Sequence, residues 1–310
     1  MRRNISLCLI VKNDKEEVAK ALEAIKSVEN EVDEVVIDLN GGGTVPTELA
    51  PYNVKVTNWE NDFAKARNDN FKRATGDWII WMDADDVFEG VKQLKDLVRN
   101  AELANKSGIF LPYHYQLDEQ GLPVEIHWKL QIIKNDGHGK WVGKVHEDFL
   151  PDVAVNYTKL KSIKRIHKHG QDNHAEKAER NLHILLEDLK EQGDDPDPRT
   201  LMYAAKTYMM LGETEYAEKF LLKYLELSGW EEEIYDAHLL LAELHKNNPD
   251  LAVEDCSRAI KVKPEYPDAY FATANIYIQQ EAWSKAITYL ETGMTKNVSL
   301  DRTSVFWFGS

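Results

Sequence analysis

Cysteine is nearly missing from this chain. Two in 310 residues exclude a disulfide framework and a cysteine-based zinc site. Cys8 lies in an apolar run and Cys256 in a helical stretch, so both read as small core residues. Long apolar runs are missing too: no stretch of ~18 such residues occurs, so no transmembrane helix is expected. Met1-Arg2-Arg3-Asn4 leads straight into a strand pattern without the apolar core of a signal peptide, and a cytoplasmic location is the expectation. Positive charge is in short supply, with 38 Lys and Arg against 53 Asp and Glu and a net charge of −15. That balance argues against non-specific binding of nucleic acid or of anionic membranes, both of which reward a basic surface. No Walker A sequence and no G-x-G-x-x-G occurs, so P-loop and Rossmann readings lack support, and Gly41-Gly42-Gly43 reads only as a flexible turn.

What is present is an ordinary globular composition, 43% hydrophobic and 29% charged, with length for two cores. Its most informative stretch is Trp78-Ile79-Ile80-Trp81-Met82, an apolar strand that runs into Asp83-Ala84-Asp85-Asp86. A buried strand ending in acids delivers them to the carboxyl edge of a sheet, where open α/β folds bind ligands. Carboxylates there suit Mg²⁺ or Mn²⁺, which bridge to substrate phosphates. Asp-x-Asp recurs at Asp195-Pro196-Asp197 with no such strand before it, so the strand is what distinguishes the first copy.

The first ~115 residues alternate strand and helix patterns, which predicts a mainly parallel sheet with helices on both faces. Strands are expected at residues 5–11, 34–39, 54–59 and 78–82, and helices at 15–28 and 62–75. From Gly108 to about Tyr157 longer strands follow, with Asp118-Glu119-Gln120-Gly121 as a hairpin turn between residues 109–117 and 124–134. They should extend the sheet with antiparallel strands. Beyond His169-Gly170 the pattern is helical, starting with a helix over 174–192 and a stop at Gly193-Asp194-Asp195-Pro196-Asp197-Pro198. Ala217, Ala252 and Ala286, like Leu221, Cys256 and Leu290, recur at a period of ~34, the texture of tetratricopeptide repeats. The first helix of the middle repeat, from about Ala237 to Lys246, looks about two residues short of that pattern. The expected division is a catalytic α/β domain over 1–170, a connecting helix and linker over 171–198, and helical repeats over 199–310.

Four segments then occur in order: Ser6 to Asn13, Val32 to Asp38, Trp59 to Asn68 with its Ala66-Arg67-Asn68, and Thr75 to Asp86. The series resembles family 2 glycosyltransferases of the GT-A fold, especially bacterial and phage members that carry tetratricopeptide repeats. The resemblance implies an inverting, metal-dependent transfer from a nucleoside-diphosphate sugar, by default a UDP-sugar, with Mn²⁺ or Mg²⁺ as cofactor. It assigns Asp38 to the nucleobase, leaves Val11, Lys12 and Asn13 to edge the nucleotide pocket, and gives Arg67 to base, ribose or phosphate. Asp83 and Ala84 would lie on the nucleotide sugar and Asp85 on the metal. One departure stands out. The family has Asp-Thr-Gly-Ser-Thr-Asp-Gly-Thr after the second strand, whereas this chain reads Asp38-Leu39-Asn40-Gly41-Gly42-Gly43-Thr44.

Trp141-Val142-Gly143-Lys144-Val145-His146-Glu147-Asp148 resembles the family's Gly-x-Val-His-Glu segment. An inverting displacement needs a carboxylate to deprotonate the acceptor, a role worth ~10²–10⁴ in rate. Glu147 is the first candidate and Asp148 the second. His146 would ligate the metal or touch the diphosphate. In His167-Lys168-His169-Gly170 either histidine could match the family's metal-proximal one, taken here as His169, and Lys168 could face the leaving diphosphate or lie in a solvated linker. The repeats imply a groove for a protein, peptide or glycan acceptor, or a homo-oligomer contact. A competing reading is a catalytically decayed adaptor that binds nucleotide or a protein partner, suggested by the altered glycine loop. A sugar nucleotidyltransferase would need a glycine-rich, arginine-containing loop after the first strand, which Lys12-Asn13-Asp14-Lys15 is not.

Overall fold

A computed structural model describes residues 4–168 and 174–296. The chain divides into two compact units, Met1–Asp172 and Asn173–Ser310. The first opens with β1 (Ile5–Lys12), α1 (Lys15–Lys26), β2 (Glu34–Asn40), β3 (Asn53–Thr57), α2 (Phe63–Phe71) and β4 (Trp78–Met82). It continues with β5 (Asp86–Glu89), α3 (Leu94–Leu103), β6 (Gly108–Leu117), β7 (Pro123–Lys134), β8 (Lys140–Val142), β9 (Asp148–Leu150), β10 (Tyr157–Lys159) and β11 (Lys164–His167). Nine strands form one mixed sheet in the order β3-β2-β1-β4-β7-β6-β11-β5, with β10 beside β6. The first four of that order are parallel, and β7 enters antiparallel to both β4 and β6. The architecture is a GT-A-type α/β domain.

Period-two alternation sorts β4 between two cores. Trp78, Ile80 and Met82 join Leu7, Leu9, Ile37 and Leu39 under α1 and α3, where Ala21, Ile25, Leu94 and Val98 close the layer. Ile79 and Trp81 face the other way, onto Ala64 and Phe71 of α2 and onto Trp141. α1 and α2 each start at an aspartate whose carboxylate accepts a backbone N–H of the first turn, Asp14 from Glu17 at 2.9 Å and Asp62 from Lys65 at 2.7 Å. The strands and the hairpin lie where the sequence pattern puts them. α2 stops at Phe71, short of Thr75.

The second unit holds α4 (His174–Gln192), α5 (Pro198–Met210), α6 (Thr214–Leu227), α7 (Glu231–Leu244), α8 (Pro249–Val262), α9 (Asp268–Gln279) and α10 (Trp283–Met294). Successive helices pair as hairpins, α5 with α6, α7 with α8 and α9 with α10, in tetratricopeptide-like repeats. Ala217, Ala252 and Ala286 are buried at equivalent positions of the second helices, where a small side chain lets two helices approach. α4 packs on α5 through Leu189 and belongs to this unit, where the sequence suggested a connector. The middle repeat is not short. α7 starts at Glu231, and the run Glu231-Glu232-Glu233 is favourable at a helix N-terminus.

Candidate active site

β4 ends at Met82, and the chain turns through Asp83, Ala84 and Asp85 into β5, with the Asp86 N–H donating to the Asp83 carbonyl at 3.3 Å. Across the sheet β11 runs antiparallel to β5, which sets His167 opposite Asp86 and Arg165 opposite Phe88. Arg165 is 1% exposed and holds the acids together. Its Nε donates to Asp86 at 2.7 Å, its Nη2 to both Asp83 and Asp86, and its Nη1 to Gln131 at 3.2 Å. The Tyr113 hydroxyl adds a bond to Asp86 at 3.1 Å. Asp86 thus spends both oxygens inside the protein.

A second arginine approaches from α2. The Arg67 Nη2 donates to Asp83 at 2.6 Å and its Nε to Glu147 at 2.5 Å. Asn68, next in the same helix, makes two 2.9 Å bonds with the backbone of Trp141, and the Phe63 N–H donates to the Lys144 carbonyl at 2.8 Å. These tethers explain the Ala-Arg-Asn triplet: Asn68 fixes the β8 segment, and Arg67 receives the glutamate that follows it. Both guanidinium groups lie over the Trp81 ring, at 4.5 and 4.6 Å from its centroid. Burial alone would raise the Asp83 pKa, but Arg67 and Arg165 outweigh it and hold the carboxyl well below the usual range.

At the nucleotide end, Asp38 lies within β2 and is 1% exposed. Its Oδ1 accepts from Asn70 at 3.0 Å and from Arg73, so a base-reading role has to share the carboxylate with two protein donors. Val11 is buried beneath the same edge. Asn13 donates through its side chain to the carbonyls of Gly42 and Thr44 and bridges to β2 through its backbone. Gly41, Gly42 and Gly43 all have positive φ, of 113°, 71° and 85°, a path that glycine takes without strain. The sequence departure after β2 is therefore a turn pinned by Asn13.

Asp85, Asp86 and His167 each offer a ligand atom, all within 4.8 Å of one another, a carboxylate and imidazole group that could hold a metal ion. His167 Nδ1 lies 3.1 Å from Asp86 and its ring stacks on Tyr115 at 5.4 Å, so its orientation is fixed from two sides. His146 is exposed, has a φ of +55°, and is not in this group. His169 lies outside the described residues. Lys168 donates its backbone N–H to the Asp85 carbonyl at 2.8 Å, and its ammonium pairs with Glu23 at 3.0 Å. Asp148 starts β9 half-buried. Arg165, Gln131, Asn70 and Arg73 were not singled out from the sequence, and Asp86 was named only as the last acid of its cluster, without a role of its own. Arg165 and Gln131 sit in strands where an isolated polar residue reads as a solvated face.

Residues 6–145 match the profile of the family described as Glycosyl transferase family 2. The first unit is a family 2 glycosyl transferase domain. The chain is also 24% identical over 235 residues to the SPbeta prophage-derived glycosyltransferase SunS of Bacillus subtilis strain 168, covering 71% of this chain and 52% of that protein. A TPR repeat-containing protein of Synechococcus elongatus is 36% identical over 103 residues, which are 32% of this chain and 25% of that protein. Among solved structures, one of MamA matches with 18% identity and a TM-score of 0.33, covering 38% of this chain and 77% of that one. The chain spans about half the length of the SunS relative. Among the described residues no helix is long and apolar enough to cross a membrane.

Proposed function

We propose that the family 2 glycosyl transferase domain is a metal-dependent inverting enzyme that moves a sugar from a nucleoside-diphosphate sugar, with UDP the nucleotide, to an acceptor presented by a protein or peptide. The observation that carries this reading is the convergence of Asp83, Asp85, Asp86, Glu147 and His167 at the carboxyl edge of β4. The carboxylates of Asp83, Asp85, Asp86, Glu147 and Asp148 outnumber the nearby cations Arg67, Arg165 and Lys129, a balance that one divalent cation would restore. Asp85 and His167 would hold the ion, with Asp86, 3.1 Å from the His167 Nδ1, fixing the imidazole. A divalent ion bound there would hold the diphosphate and offset charge on the leaving group.

The acceptor's nucleophilic atom attacks the anomeric carbon as the bond to the diphosphate oxygen breaks, and its proton passes to a carboxylate. Glu147 spends an oxygen on Arg67 and so positions that arginine. Glu147 and Asp148 are the two proposed candidates for that carboxylate. Asp83, clamped between two arginines, stays ionised and accepts from the ribose hydroxyls. SunS carries glycosyltransferase in its name, and the tetratricopeptide-like repeats supply a surface suited to a polypeptide acceptor.

The test is a thermal-shift and sugar-release screen of UDP-, GDP- and dTDP-sugars, with and without Mn²⁺, on wild type and Asp85→Ala. Binding raises the melting temperature in proportion to ln(1 + [L]/Kd), so a selective shift identifies the donor before the acceptor is known. A Mn²⁺-dependent shift should vanish in Asp85→Ala, and turnover should fall about 10³-fold. No shift with any sugar nucleotide would overturn the reading. Full turnover by Asp85→Ala would overturn the metal assignment alone.

A further inference from the structure

Strand β7 carries Lys129 and Gln131, which no motif includes. Ile109 pairs with Ile132 and Phe110 with Leu130, so Gln131 is an extra residue, a β-bulge. Bulges re-aim side chains beside active sites. Here the Gln131 amide turns into the site, donating to the Trp81 carbonyl and accepting from Arg165 at 3.2 Å. Lys129 lies two residues before it in β7, opposite Leu111 in the ladder and beyond Ile80↔Ile132, the last pair that β7 makes with β4.

The Lys129 ammonium lies within electrostatic reach of Asp148, Arg165, Glu147 and Asp83 and makes no hydrogen bond or ion pair among the described residues. Burial pushes it below the ordinary lysine range, because the nearby acids do not restore what desolvation removes. A partly desolvated ammonium without an acceptor is costly, and a ligand oxygen would remove that cost. We infer that Lys129 is a specificity-determining contact for the hydroxyl groups of the transferred sugar, an assignment that rests on the glycosyl-transfer reading above. Its surroundings decide between ligand chemistries. A phosphate placed against Lys129 would also meet the carboxylates of Asp148, Glu147 and Asp83, which repel it. A sugar hydroxyl both donates and accepts, so it can take a bond from the ammonium and give one to a carboxylate.

Affinities for UDP alone and for UDP-glucose, UDP-galactose and UDP-N-acetylglucosamine, measured by calorimetry on wild type, Lys129→Met and Lys129→Gln, test this. In Lys129→Met the affinity for the preferred sugar nucleotide should fall about ten-fold or more while UDP binds as before. Lys129→Gln, which keeps a donor, should recover part of the loss. Equal losses for UDP and sugar nucleotide would put the ammonium on the diphosphate and overturn the assignment. No change in either would overturn it as well. Unaltered UDP binding also reports that a variant is folded. Wild type that binds neither UDP nor a sugar nucleotide overturns the glycosyl-transfer reading, and this inference falls with it.

Discussion

Each unit buries an ionic cluster, and the two are wired differently. In the repeats His245 bonds Asp255 through Nδ1 at 2.6 Å and Glu218 through Nε2 at 3.2 Å, joining the end of α7 to α8 and α6. Asp255 takes a further bond from Arg258 at 3.2 Å, one turn along α8, and the cluster serves to hold helices in register. At the edge of β4, Asp83 is shared by Arg67 and Arg165, Asp86 by Arg165, Tyr113 and His167, and Arg67 by Asp83 and Glu147. Acids outnumber cations, and the groups sit where a sheet opens to ligands. A repeat fold needs charge only as a clip. The glycosyl transferase domain retains an excess of it, which a stable fold would not require.

The strongest way to break this comparison is Arg165→Met. Removing a buried guanidinium leaves Asp83 and Asp86 without their shared counter-charge, and losing one partner of such a cluster costs about 3–5 kcal/mol. Hydrogen exchange should show faster opening of β4 and β11 amides with the α5 to α8 amides unchanged. Arg165→Lys should restore only part, since an ammonium cannot reproduce the fork that spans two acids and Gln131. Unchanged protection in β4 would mean that the acids do not depend on Arg165 for stability.

Asn68→Ala sharpens the same contrast at smaller cost. It removes two hydrogen bonds to the Trp141 backbone, about 1–3 kcal/mol, while leaving every charge in place. If these bonds serve chiefly to deliver Glu147 to Arg67, turnover should fall more than stability does. Denaturant melts beside initial rates would separate the two effects. Equal losses would make Asn68 a packing residue.

How much of this was legible follows from the same wiring. The strands and their order in the chain were readable because both faces of β1, β2 and β4 are buried and their runs are mostly apolar, with only Ser6 and Asp38 interrupting β1 and β2. Asp83, Asp85, Arg67 and Glu147 were readable because each lies in a short motif. Arg165 was not, because Lys164-Arg165-Ile166-His167 alternates like an edge strand with a wet face, and only its place between β6 and β5 buries it. Gln131 and Lys129 were hidden by the bulge, since a one-residue insertion changes which way side chains point without changing composition. Asp38 was legible as an acid near the end of β2, but not its internal bonds to Asn70 and Arg73, which come from α2 and the turn after it.

The smallest effect concerns the clip in the repeats. Burial by itself would lower the His245 pKa, but the bonds to Asp255 and Glu218 outweigh it and the net shift is upward. A raised folded pKa stabilises fully below the ordinary histidine value of about 6.5 and is lost as pH rises through the folded value. The neighbouring His238 is shifted downward, mainly by burial, and contributes with the opposite sign. The slope of wild type alone therefore mixes two residues, and the informative quantity is wild type minus His245→Gln. That difference in unfolding free energy of the repeat unit should be larger at pH 5.5 than at pH 8.5, because only the protonated imidazole bonds both acids as a cation. A difference that grows toward alkaline pH would mean that the neutral ring makes the clip, and the contrast between an ionic clip in the repeats and the arginine-bridged acids of the sheet would lose its second member.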